Sequence, residues 1–315
     1  MSGGNMLDQT MLGYYLYRLL GLVVPLIPPG LGYPMATRLG DLFHRLDKAT
    51  RANVYDNVTH VLEAGSWNLK ANSQQPVTSS QKAVGDSEAI VRGVFQNMAK
   101  NYYDLFRVPT LSLAEIDRLV KVEGWEHVER ALSKGKGLIV VSAHFGNTDI
   151  VAQVLALREI PVVVPAEHLK PEVLYRYVCS LRASKGIRLI PIDGPLLELC
   201  RALRRNEVVG LAADRDITES GIVVDFFGAP ALLADGYAQL SLRTGAPIIV
   251  GFSQRLPDNT FVAHLEPPLE WEVTGDRDRD VRVGVEKVVA IMERYIGEQP
   301  EQWVMSVPIW RTANS

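Results

Sequence analysis

The sequence predicts an α/β fold: a mostly parallel or mixed central sheet flanked by helices, preceded by N-terminal helices whose composition suits a membrane surface. Three observations lead there. From residue 137 onward, short β-branched runs alternate with amphipathic helical stretches, the order of a sheet covered by helices on both faces. The first third shows helical periodicity instead. Within it, residues 11–27 carry a single charge, Arg18, beside Tyr14, Tyr15, Tyr17 and several leucines and valines.

Spanning a bilayer takes about 20 apolar residues, and Arg18 and Pro25 interrupt the run at 11–27. A helix lying in the interface fits better, with a buried core helix as the plainer alternative. No small-residue cleavage site of the signal-peptide kind follows. After the Pro28-Pro29-Gly30 break, residues 33–64 predict a helix with Leu39, Leu42, Phe43 and Leu46 at helical spacing. The Ser-, Gln-, Asn- and Lys-rich stretch 65–86 predicts a solvated loop or mobile lobe. A second amphipathic helix runs over 87–105 through Ile90, Val94, Phe95, Met98 and Tyr102.

Strands are expected at 137–141, 162–164, 188–190 and 208–212, with helices at 148–157, 171–185 and 196–204. Further strands follow at 223–227, 247–252 and 260–265. A helix starts at Asp235 and stops at Gly245, and a last one aligns Val281, Val285, Val288, Val289, Met292 and Ile296 on one face before Gly297. No internal repeat is present. We divide the chain into a helical membrane-associating segment, residues 1–50, and an α/β domain, residues 51–315.

At 315 residues and 47% hydrophobic content, the chain can bury one large core or two modest ones. A formal net charge of -3 without a long Lys/Arg block argues against nucleic acid as a partner. Cys179 and Cys200 lack Cys or His neighbours at metal-ligand spacing, so neither a zinc site nor a disulfide framework is indicated. A reduced compartment fits.

The most informative segment is Ser142-Ala143-His144-Phe145-Gly146-Asn147-Thr148-Asp149. A histidine ends a β-branched run, a Gly-Asn turn follows, and an aspartate opens a helix. His144 lies before the turn and Asp149 in the first helical turn, so the carboxylate can reach back to the imidazole, fix its tautomer and stabilise the imidazolium. Asn147 or Thr148 can cap the helix, whose free amides offer a site for developing negative charge. The same residues also fit a strand-end histidine with first-turn helix charge. Glu167 and Asp214 likewise follow predicted strands, where ligands gather in such sheets.

His144-Phe-Gly-Asn-Thr-Asp149, Ala213-Asp214-Arg215-Asp216, Val224-Asp-Phe-Phe-Gly228-Ala-Pro230, Arg243-Thr-Gly-Ala-Pro247 and Pro300-Glu-Gln-Trp303 occur in that order. Together they resemble the bacterial lipid A biosynthesis acyltransferases of the lysophospholipid acyltransferase superfamily. Pro165-Ala-Glu167-His-Leu-Lys-Pro-Glu172 and Ser180-Leu-Arg182 are most similar to the phosphatidylinositol mannoside acyltransferase branch. The resemblance runs from about residue 52 to 311. It implies a peripheral or monotopic enzyme at the cytoplasmic, inner-leaflet face of the cell membrane. Such an enzyme moves a fatty acyl group from acyl-CoA or acyl-carrier protein, as co-substrate rather than cofactor, to a hydroxyl of a phosphatidylinositol mannoside-like glycolipid.

On that resemblance His144 is the general base, Asp149 its orienting partner and Asp214 the acidic residue paired with it from a later strand. Glu167, Arg182, Arg215 and Asn147 are expected to bind substrate, and no metal is expected. A hydroxyl is a poor nucleophile near neutral pH, and a positioned base contributes about 10²–10⁴-fold. No acyl-enzyme is needed, because the thioester is already activated. Helix N-terminal amides or Arg182 can serve the oxyanion. Plainer roles stay open: Arg182 with Glu167 as a surface ion pair, residues 214–216 as a solvated strand end, Phe226 and Phe227 as core. His44, His60, His127 and His264 lack partner motifs, and His168 sits beside Glu167. The competing functions are lipid A acylation, thioester hydrolysis by the same histidine, and lipid binding without catalysis.

Overall fold

The computed structural model describes residues 4–72, 80–194 and 196–310, with backbone alone over 4–10, 65–72 and 80–86. Its first third holds α1 (Gly4–Val23), α2 (Pro29–Leu46), α3 (Lys48–Asn72) and α4 (Ser80–Arg107). The single helix expected over 33–64 is two. Asp47 leaves helical geometry, and its carboxylate accepts from Thr50 N at 3.0 Å and Thr50 Oγ1 at 2.7 Å, which starts α3 afresh. The loop expected over 65–86 is also corrected: α3 continues to Asn72 and α4 begins at Ser80, while 73–79 lie outside the described residues. Gln and Lys are good helix formers, and extending an existing helix costs little.

A capping box between Ser112 and Glu115 opens α5 (Leu113–Leu119), which runs into β1 (Val120–Glu123). Then come α6 (Trp125–Leu132), β2 (Leu138–Ser142), α7 (Thr148–Val151), α8 (Gln153–Leu157), β3 (Val162–Ala166), α9 (Glu172–Arg182), β4 (Arg188–Pro191), α10 (Leu196–Arg204) and β5 (Val208–Ala212). This is the expected alternation, except that the helix at 148–157 breaks at Ala152. The chain closes with β6 (Ile222–Phe226), β7 (Ala229–Leu233), α11 (Gly236–Thr244), β8 (Ile248–Arg255), β9 (Phe261–Leu265) and α12 (Arg277–Glu298).

Seven strands form one sheet in the order β1-β9-β8-β2-β5-β3-β4, and only the β8–β9 pair is antiparallel. A separate β6–β7 hairpin packs on α12. Alternate strand residues sort to opposite faces, as the two-residue period of a strand requires. Ile139, Val141, Val209, Ile248 and Val250 meet α10, α11 and α12 in the main core. Leu138, Val208 and Ile249 meet α6 in a second core on the other face. β2, β3 and β5 run parallel, so their carboxyl ends, carrying His144, Glu167 and Asp214, share one rim.

Against that rim stand the N-terminal helices. α4 packs on α2 and α3 and touches α7. α1 lies against α9 and α4, close enough that a Cβ on Gly21 would sit 1.8 Å from the Tyr177 hydroxyl. Among the described residues no helix is long and apolar enough to cross a membrane.

Candidate active site

Ser142 of β2 pairs with Ala212 of β5. Two residues beyond each, the parallel register sets His144 beside Asp214. One carboxylate oxygen of Asp214 lies 2.8 Å from His144 Nδ1, and the other accepts from the His144 backbone N–H and from the Trp303 indole N–H, both at 2.8 Å. Asp214 is wholly buried, while the His144 side chain keeps 38% of its surface exposed. Nε2 of His144 has no hydrogen-bond partner among the described residues. The Asp214 carboxylate holds the imidazole pKa above its ordinary value, although burial opposes it. For Asp214, burial pushes upward, but the adjacent imidazole and the three donors outweigh it and hold the carboxyl below its usual range.

The loop after His144 is fixed from behind. His144 O accepts from Val304 N at 2.8 Å, Gly146 N donates to Gln302 O at 2.8 Å, and Phe145 forms a bridge with Trp303. Gly146 has φ +61°, and a Cβ there would lie 1.4 Å from Ser253 O, so only glycine fits.

Three sequence expectations change here. Asp149 is not the partner of His144: it pairs with Arg182, Nε to carboxylate 2.9 Å, and nothing bonds it to the imidazole. Asn147 caps α7, so Asp149 stands in the first turn facing α9, while Asp214 already occupies Nδ1. Asn147 does not face substrate. It is 2% exposed, its carbonyl accepts from Ile150 N at 3.2 Å and its amide donates to Asp104 at 2.9 Å. Nor do Glu167 and Arg182 pair with each other. Glu167 takes Arg215 instead, so the two arginines sit in separate ion pairs. Both guanidinium charges still act on His144, each opposing its protonation. Arg182 also lies near Tyr102 of α4 and Tyr17 of α1, which stack edge to face at 6.2 Å.

A buried polar network behind the loop was not legible in the sequence. Asp104, 1% exposed, accepts from Tyr33 at 2.7 Å, Arg255 at 2.7 Å and Asn147 at 2.9 Å. Asn101 joins it, donating to Gly146 O at 2.6 Å and accepting from Arg255 at 2.7 Å. The one available signal was an acid inside the apolar run Tyr102-Tyr103-Asp104-Leu105-Phe106. Phe226 and Phe227 are core residues. Phe226 packs edge to face on Trp303, the donor to Asp214, at 5.9 Å.

A sequence model described as bacterial lipid A biosynthesis acyltransferase matches residues 6–312. The chain belongs to the bacterial lipid A biosynthesis acyltransferase family. Among similar family members, a phosphatidylinositol mannoside acyltransferase of Mycolicibacterium smegmatis is 31% identical over 253 residues, 78% of this chain and 80% of its own. One from Mycobacterium tuberculosis (strain CDC 1551 / Oshkosh) is 35% identical over 160 residues, 49% of this chain. That match spans about half of the M. tuberculosis relative's length. A lipid A biosynthesis acyltransferase of Haemophilus influenzae is 21% identical over 227 residues, 71% of this chain and 70% of its own.

Proposed function

We propose that this family member is a peripheral membrane O-acyltransferase that moves a fatty acyl group from a thioester donor, acyl-CoA or acyl-carrier protein, to a hydroxyl of a phosphatidylinositol mannoside-like glycolipid. The observation that carries the chemistry is the His144–Asp214 pair. An ionised, buried Asp214 accepts the hydrogen bond of the ring Nδ1–H, which leaves the Nε2 lone pair facing solvent as a base. The acceptor hydroxyl loses its proton to Nε2 as its oxygen bonds to the thioester carbonyl carbon. The resulting oxyanion collapses, the C–S bond breaks, and the departing thiolate recovers the proton from Nε2. No covalent enzyme intermediate forms.

Arg182 and Arg215, each tethered by a carboxylate, supply positive charge around the imidazole for the oxyanion and for a phosphate of either substrate. Their tethers keep them oriented, and the Asp214 oxygens are already taken by His144 and Trp303. The mannoside reading of the acceptor rests on the names of the relatives with the higher identity.

The membrane reading rests on α1 and α2. Tyr14, Tyr17, Gly21 and Val24 turn inward, while Leu12, Leu16, Leu19, Leu22 and Leu26 stay 51–82% exposed. Arg18, the single charge of this stretch, lies over the Tyr177 ring at 5.0 Å on α9. The exposed stripe continues on α2 through Leu31, Met35, Leu39, Leu42, Phe43 and Leu46, with Arg38 and Arg45 beside it. Apolar side chains flanked by cations suit the headgroup boundary of an anionic leaflet on the cytoplasmic side.

The test is direct: incubate the purified chain with acyl donors and a lipid extract containing phosphatidylinositol mannosides, then identify new lipids by mass spectrometry. A mannoside heavier by one acyl group is the expected product. Thioester cleavage at the same rate without any acceptor would make the protein a hydrolase, and acylation of lipid A precursors alone would move the acceptor.

A further inference from the structure

A cavity of about 480 Å³ opens between α4, the end of β8 and the segment after α12. None of His144, Asp214, Glu167, Arg182 or Arg215 lines it. Lys100 does, half-buried and without a hydrogen bond or ion pair among the described residues. Arg255 forms part of the same wall with a side chain only 3% exposed. Its NH2 group serves Asn101 and Asp104, while Nε and NH1 have no hydrogen-bond partner among the described residues and the guanidinium lies over the Phe261 and Tyr33 rings. Burial and the Arg255 charge push the Lys100 pKa down, against the pull of Asp104, whose carboxylate is already paired with Arg255.

The amides around them are turned to donate. Gln254 uses its carbonyl on His264 Nε2 at 2.9 Å, and Gln299 uses its carbonyl on Gln302, which leaves both NH2 groups without an acceptor among the described residues. One carboxylate, Glu301, also lines the wall, and it does not pair with Lys100. Donor-rich walls, unpaired positive charge and room for a small group are the complement of an anion with several acceptor oxygens.

We propose that this cavity binds a phosphate group, inorganic phosphate or a phosphomonoester, at a site separate from the catalytic rim and independent of the acyl-transfer reading. Gln302, in its wall, bonds Arg255 N and O with its side chain and Gly146 N with its carbonyl, so occupancy is linked to the loop that carries His144.

The test uses the full chain. At constant ionic strength the thermal midpoint of the unmodified protein should rise with inorganic phosphate concentration, and Lys100→Met should weaken phosphate binding about tenfold or more, the worth of one charge-assisted hydrogen bond. Lys100→Arg should largely retain it, and Gln299→Leu provides a second variant should Lys100→Met fold poorly. Pelleting with phosphatidylcholine vesicles, with and without phosphatidic acid, separates the sources. A phosphatidic acid increment lost in Lys100→Met assigns a lipid phosphate, and an unchanged increment beside lost phosphate binding assigns a soluble one. A phosphate response that is absent, or equal in the folded variants and the unmodified protein, overturns the site.

Discussion

The sheet rim and the N-terminal helices are built from similar apolar residues put to opposite use. In β2, β3 and β5 most valines, leucines and isoleucines are buried, and what the strand ends present to solvent is polar: His144, Glu167 and Arg215. In α1 and α2 the leucines stay outside and the polar contacts are inside, Tyr17 against Tyr102 and Tyr33 bonded to Asp104. A side chain such as Leu gains about 1.5–3 kcal/mol from leaving water. The rim has already collected that free energy on folding. The helices have not, as the proposed lipid contact requires, and Tyr17 of α1 lies near Arg182 of α9.

The largest effect should come from breaking the rim at its base. His144→Ala is expected to reduce acyl transfer by at least about 10³-fold, beyond the middle of the general-base range. The fold should be retained with a lowered midpoint of unfolding, since one oxygen of the buried Asp214 loses its partner, so turnover is compared on protein shown to be folded. Retained turnover within a few-fold would remove His144 from the mechanism.

Asp214→Asn comes next, on the order of 10³-fold. The oxygen that accepts two N–H groups, from His144 N and Trp303 Nε1, must stay an oxygen, so the new NH2 group is forced to face Nδ1. The ring must then accept at Nδ1 and carry its proton on Nε2, the wrong tautomer for a base. The pH profile separates this from a folding defect. Because Asp214 raises the His144 pKa, kcat/KM in the unmodified enzyme should fall with acid from a point above 6.5, and the residual activity of Asp214→Asn should hold to lower pH. An acid limb unmoved by the substitution would break the assignment.

Local spacing offers Asp149 as the carboxylate for His144, whereas the family resemblance names Asp214, the one that lies at Nδ1. The sequence placed His144, Glu167 and Asp214 after strands, and all three are on the rim. It showed Asp149 five residues from His144 but not that β5 is the immediate neighbour of β2, and strand order is a long-range property that periodicity does not contain. The same holds for the Asp104 network, whose partners lie 43 to 151 residues away. β1 is too short to show alternation, and β7 carries Pro230, tolerated because a two-stranded hairpin has free edges. The apolar stripe of α1 was visible in composition, whereas its continuation on α2 needed the burial of Tyr33, Ala36 and Gly40 to reveal which face remains.

The helices can be tested without touching the rim. Leu19→Lys with Leu22→Lys puts two charges at positions 57% and 68% exposed, where neither leucine holds the fold together. Flotation with anionic liposomes should drop about tenfold or more, and acylation of bilayer-embedded acceptor should fall with it. Turnover of a detergent-dispersed acceptor should persist. Unchanged flotation would mean that another surface meets the membrane, and the contrast between the two regions would lose its functional meaning.

The smallest effect should come from Asp149→Asn, and it sharpens the comparison most because it probes the seam between the regions. Asp149 holds Arg182 at 2.9 Å with the two side chains 24% and 37% exposed, and a solvent-reached pair of this kind is worth about 1 kcal/mol. The amide retains one acceptor for the guanidinium but no charge, so Arg182 is left less firmly placed beside Tyr102 and Tyr17. We expect a loss of about three- to tenfold, seen mostly in KM, since the arginine binds charge in the bound state and His144 keeps its own carboxylate. The acid limb of the pH profile should stay in place, in contrast to Asp214→Asn, because Asp149 does not contact the imidazole. A collapse of kcat equal to that of Asp214→Asn would restore Asp149 to the histidine and show that the Arg182 pair opens during turnover.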